Sequence, residues 1–325
     1  MNFRPRLSLV AFAFVAVTSG VVVRRALLLS SVARPIETIA ASTPSPPPKP
    51  APSPEEIARP HLRWAQQEAA RLLDEHLQQV AVFFDDAKQN TPEFADRALG
   101  WSSKWRLVAD HVPFTQGGRH PTFIRSQFEQ HVFTPDQLSD LVEHVVASYL
   151  AHLRSVESEM LVRVRADVAD IPEAYAIAQF DDARLQTRYD EALAQALAAT
   201  SSGVRSEVAT LVVSEIAGEV LTQVAIKLGV SAGILTTGAA SSWATFGVGL
   251  VVGLIVDQIV SWVWDWYADP IGSLATQLDN KLDGMQSLIV DGSEGVQGLR
   301  SRLKAYADER ARVRETAVLA VLQIN

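Results

Sequence analysis

The sequence predicts an all-α protein: long amphipathic helices forming a bundle around an apolar, glycine-rich helical hairpin, preceded by an N-terminal membrane anchor. Three observations predict it. Alanine, leucine, valine, glutamate, glutamine and arginine dominate, which favours helix over sheet. Apolar residues recur at three- and four-residue spacing through most of the chain, and no alternating strand pattern is visible. Proline, preceded by serine, threonine or aspartate, recurs at helix-start positions.

The chain has 325 residues, 48% hydrophobic and 20% charged, with a net charge of −8. That length buries a sizeable core. An acidic chain without a basic, aromatic-interleaved stripe is a poor match for nucleic acid, since phosphate recognition needs counterion release from a basic surface. There is no cysteine, which removes disulfides, thiolate zinc sites and cysteine nucleophiles.

Residues 1–35 read as a signal anchor. Arg4 and Arg6 precede an uncharged run over residues 7–23, at the lower limit for a membrane span, and Arg24 and Arg25 follow at once. Cleavage after Ala33 is the competing reading. Counting arginines on the two flanks, with Arg34 on the second, favours a cytoplasmic body. The following "STPSPPPKPAPSPEE", within a linker over residues 36–54, is an extended, semi-rigid spacer of the kind that holds an exported domain off a membrane. The reading adopted is a single-pass membrane protein with an extracytoplasmic body.

Residues 55–203 read as a helical domain. Ser53, Pro54 and Glu56 form a capping box opening a helix with Ala65, Ala69, Leu72, Leu73, Val80 and Phe84 on its apolar face, and with Pro60 either starting or bending it. Thr91-Pro92-Glu93 starts a short helix reaching about Gly100, and a further short piece covers residues 101–110. The turn chemistry of residues 112–133 predicts an irregular loop. Thr134-Pro135-Asp136 starts the clearest long helix, with Leu138, Leu141, Val142, Val145, Tyr149, Leu153 and Val156 on one stripe. Ile171-Pro172 interrupts, and Asp170 is placed to cap a helix running to about Ala199.

Residues 204–268 read as the glycine-rich hairpin. No charge occurs over residues 228–256, and Gly238 to Ser242 breaks the segment near its middle. Ala225, Gly229, Gly233 and Thr237 form one ridge at a spacing of four; Thr245, Gly249, Gly253 and Asp257 form another in mirror register. Two helices folded back on each other, glycine against glycine, explain that symmetry. Insertion into lipid is near balance: the apolar residues of the second arm contribute about −5 kcal/mol against about +3 for Asp257 at depth. Trp262, Trp264, Trp266 and Tyr267 are residue types that collect at membrane interfaces. An apolar hairpin shielded by long helices broadly resembles helical pore-forming toxins, and the resemblance implies conditional insertion as the alternative function. Residues 269–325 read as helices packing on the bundle: one from Asp269-Pro270, a turn at "DGSEG", and a last amphipathic helix from Val296 to Leu322.

No catalytic, cofactor or metal motif emerges. Asp140 with His144, and Asp74 with Glu75 and His76, have ligand chemistry but lack the repeated Glu-x-x-His pattern of di-iron bundles. "QGGRH" lacks a phosphate-loop lysine, and "GVGLVVG" lacks the strand of a dinucleotide site. The charge runs at Arg163, Arg165 and "RLKAYADERARVRE" read as solvated faces. The sequence thus predicts a structural or interaction protein rather than an enzyme, contacting lipid through its N-terminal helix and offering its C-terminal helix to a possible protein partner.

Overall fold

The computed structural model describes residues 52–100, 119–169, 171, 175–199, 209–227 and 270–323. The expected membrane anchor, the two expected glycine ridges beyond Ala225, Asp257 and the four aromatics Trp262, Trp264, Trp266 and Tyr267 lie outside them. The described residues are α-helical but for short turns and one small strand pair, in the order α1 (Pro54–Gln89), α2 (Thr91–Leu99), α3 (Arg119–His131), α4 (Pro135–Val168), a 3-10 turn (Ala176–Gln179), α5 (Asp182–Ala199), α6 (Ala209–Lys227), α7 (Pro270–Val290), β1 (Gly292–Ser293), β2 (Val296–Gln297) and α8 (Leu299–Leu322). No helix among them is long and apolar enough to cross a membrane.

α1 opens where its sequence dictates. The Ser53 hydroxyl accepts from the Glu56 N–H at 3.3 Å, and the Glu56 carboxylate accepts from the Ser53 N–H at 2.8 Å. Pro54 supplies the preset φ of the first turn. Pro60 lies inside the helix, where it can give the Glu56 carbonyl no hydrogen bond. Thr134 and Gln137 make the same reciprocal box at the start of α4.

α1 and α4 form the most extensive helix pair. Every residue of the expected α4 stripe is buried except Leu141, which is half-buried, and the stripe continues through Met160, Val164 and Val168. Each such Leu or Val contributes about 1.5–3 kcal/mol by leaving water. α8 and α7 pack on α1, α5 packs on α8, and α6 packs on α4. At one end, Phe84, Phe94, Phe128 and Phe133 meet edge-on: Phe94 with Phe128 at 5.8 Å, Phe128 with Phe133 at 5.2 Å, Phe84 with Phe133 at 6.0 Å.

Four sequence expectations are corrected. Part of the region expected to be an irregular loop, residues 112–133, is α3, because Ile124 and Phe128, four apart, anchor one helical face in the phenylalanine cluster. Thr91 does not cap α2; it sits inside the helix, fully buried, and its hydroxyl meets Asp279 of α7 at 2.7 Å. The helix ending at Ala199 begins only at Asp182, where the Asp181 carboxylate accepts from the Arg184 N–H at 2.7 Å, so Asp181 rather than Asp170 supplies the oxygen. The last helix starts at Leu299, because Val296 and Gln297 pair antiparallel with Ser293 and Gly292. Gly295, at φ +78°, supplies the left-handed residue that this two-residue loop needs.

Candidate functional site: a basic groove between α1 and α8

α1 and α8 run antiparallel: Asp74 faces Arg300 at 2.5 Å near one end, and Glu55 and Leu319 line the same space at the other. Alanines on both helices, Ala58 and Ala311 among them, leave room between the backbones. The result is an open groove of about 750 Å³. An adjoining cavity of about 370 Å³ shares Gln66, Lys304, Asp308 and Arg314 with it and has Tyr149 among its walls.

The charge of this groove is opposite to that of the chain. Its walls carry the bases Arg59, Arg63, Lys304, Arg312 and Arg314, and the acids Glu55, Asp308 and Glu315. Lys304 is paired with Asp308 at 2.5 Å, and Arg312 with Glu309 at 3.0 Å. Arg59 and Arg63, exposed and one helical turn apart, make no ion pair among the described residues.

Arg314 is the unusual member. It is only 2% exposed, and the cause is its position beneath the contact of α8 with α4. There the Glu157 carboxylate, itself 2% exposed, accepts two hydrogen bonds from Arg310, at 2.9 Å from Nε and 2.8 Å from Nη2. That bidentate pair occupies both carboxylate oxygens. Burial disfavours the Arg310 charge, but the Glu157 hydrogen bonds and charge overcome it and raise its pKa. Arg314 is left with one longer contact, Nη1 to Glu157 at 3.8 Å, and its Nε has no hydrogen-bond partner. Nearby, burial pushes the Tyr189 phenol well above its ordinary value, with Glu157 adding to the effect, and its hydroxyl is also without a partner. Two guanidiniums thus share one buried carboxylate, and the second faces the groove.

The charge run of α8 is therefore not simply a solvated face: Arg310 and Arg314 turn inward. The signal was present in the sequence. Glu157 falls on the apolar α4 stripe between Leu153 and Met160, and Arg310 and Arg314 are four apart on α8. Arg163 and Arg165 also have partners: Arg163 lies over the Trp64 ring at 3.8 Å, and Arg165 pairs with Asp182 at 2.6 Å.

The groups with ligand chemistry do not assemble. Asp74 pairs with Arg300, Glu75 with Arg71, and His144 with Ser148, while His76 meets His152 at 2.8 Å across α1 and α4. Among the described residues no three His, Asp or Glu side chains are placed to hold a metal. Of the hairpin ridge, Ala225 is described, and it is fully buried on α6. Val220, Leu221 and Val224 are buried on the same helix, and Glu219 pairs with Arg302 of α8.

No protein-family model matches the chain, no curated protein matches it, and no solved structure matches it.

Proposed function

We propose that the chain is a membrane-anchored helical protein of structural or protein-interaction type, with lipid contacted through residues 1–35 and the body extracytoplasmic. The junction at Ser53 carries this reading. In the sequence the proline-rich spacer ends at a capped helix that is packed from its first turns, with Ile57 and Ala58 buried. A protein partner of α8 would meet its charged outer face, because Leu303, Val313, Ala317 and Val321 are already buried. The apolar hairpin of residues 204–268 is read as core, extending the buried face that α6 begins. Carbonate-washed membranes should retain the full-length protein, and protease added to intact cells should digest the body. Release by carbonate overturns the anchor, and protection from protease overturns the orientation.

A second reading, conditional insertion of the hairpin as in pore-forming proteins, draws on Leu211 and Ile226, which are exposed at 66% and 46% on α6. Insertion would have to break the Glu219–Arg302 pair and strip α6 from the bundle. Liposomes carrying the protein that never leak, at any pH, remove this reading.

A further inference from the structure

We infer that the α1–α8 groove is a binding site for a phosphate-bearing ligand, anchored by the buried guanidinium of Arg314 and gathered in by Arg59 and Arg63. This stands apart from the membrane anchor and does not depend on it.

The argument begins with an imbalance. A guanidinium taken out of water needs a partner for its charge and for its N–H groups. Glu157 cannot serve two arginines equally, and Arg310 holds both of its oxygens. Arg314 is left charged, 2% exposed, and with Nε unbonded, at the wall shared by the groove and its side cavity. An anion in the groove supplies the second counter-charge that the shared Glu157 carboxylate does not.

The arginines of the groove indicate which anion. With Glu309 on Arg312 and Glu157 between Arg310 and Arg314 counted, six bases face five acids, so the site keeps one positive charge in excess on a chain of net −8. Two of the acids, Glu55 and Glu315, are exposed to water, while Asp308 is engaged by Lys304. A phosphate monoester carries about −1.5 to −2 near neutral pH, of the sign the site lacks, and arginine forks fit its oxygens in pairs. The groove, about 750 Å³, is far larger than phosphate alone and falls within the range of small-molecule sites. The remaining space fits the organic part of the ester. A soluble phosphorylated molecule and an anionic lipid headgroup share this chemistry.

The test uses the full chain in phosphatidylcholine discs, with melting temperature and 31P line width followed as inorganic phosphate or glycerol 3-phosphate is added at ionic strength fixed with chloride. The wild type should show a saturable rise in melting temperature and ligand line broadening. Arg59→Gln/Arg63→Gln and Arg314→Met should each bind about tenfold or more weakly. Without ligand, Arg314→Met should melt no lower than wild type, since it removes an unsatisfied buried charge and keeps the volume. A purely structural Arg314 gives the reverse, a lower melting temperature with phosphate binding intact, and overturns the proposal. So does a phosphate response equal to that of chloride. Discs containing phosphatidic acid separate the two sources. Stabilisation by that lipid, competed by glycerol 3-phosphate, assigns a headgroup; stabilisation by glycerol 3-phosphate alone assigns a soluble ester.

Discussion

His76 Nε2 lies 2.8 Å from Nδ1 of His152, joining α1 to α4 through a bond between two imidazoles. Gln79 meets the other nitrogen of His76 at 3.1 Å. The set is satisfied when Gln79 donates to Nδ1 and His76 donates from Nε2. Burial holds the His76 pKa below its ordinary 6.5, helped by His152 and His144 and opposed by Glu75. A second proton on His76 turns Nδ1 from an acceptor into a donor and places a charge in a buried site.

Stability should therefore fall on mild acidification. The unfolded chain takes up this proton at a higher pH than the native one, so the contribution is complete above pH 6.5 and is lost as the pH falls below that toward the native value. Urea unfolding at about pH 7.5 and about pH 5.5 should show a loss of about 1 kcal/mol in the wild type, comparable to one hydrogen bond. His76→Gln should flatten that difference. An unchanged acid limb in the variant would assign the loss to other groups.

Glu157 should be among the costliest single positions. Glu157→Ala leaves Arg310 and Arg314 buried without a counter-charge, and about 3–5 kcal/mol should be lost in equilibrium unfolding. Glu157→Leu combined with Arg310→Met and Arg314→Met replaces the whole network by apolar volume and should recover most of that loss. A triple variant as unstable as the single one would mean that packing, not charge, sets the cost.

Thr91→Val keeps the shape of a fully buried side chain and removes a hydroxyl bonded to the Lys88 carbonyl and to Asp279. A loss of about 1–3 kcal/mol is expected, because Asp279 is left without that donor. A thermal melt measures it. Asp279→Ala in the Thr91→Val background should then cost much less than Asp279→Ala alone.

Gly292 and Gly295 both have positive φ, yet they should respond differently to substitution. A Cβ on Gly292 would sit 2.2 Å from the Val296 carbonyl oxygen and 2.6 Å from the Gly298 nitrogen, whereas one on Gly295 meets nothing within 4 Å. Gly295→Asn should cost less than about 1 kcal/mol, since asparagine tolerates the left-handed region. Gly292→Ala adds a backbone clash to the strain and should cost well above about 2 kcal/mol. Equal melting temperatures for the two variants would contradict this hairpin geometry.

Local chemistry made part of this fold legible in the sequence. The capping boxes at Ser53 and Thr134 and the stripe from Leu138 to Val156 depend on neighbours within a few residues, and they appear where the pattern places them. The failures share a cause. α3 is held by the contacts of Phe128 with Phe94 of α2 and with Phe133, between α3 and α4, which outweigh the turn preference of Pro121. Thr91 reads as a cap until Asp279 is brought beside it by tertiary packing. The groove was invisible for the same reason, since Arg314 looks like one more charge on a helical face until Glu157 and Arg310 are in place.

The antiparallel pairing of α1 with α8 also orders events during synthesis. α1 is made first, and one flank of it, from Ala58 to Asp74, is completed by a helix translated only after every other described element. Until then Leu62 and Leu73 lack their neighbours from α8, so the nascent body must be shielded from aggregation or kept unfolded. Closure of the bundle is a late, long-range step that α1 cannot begin alone.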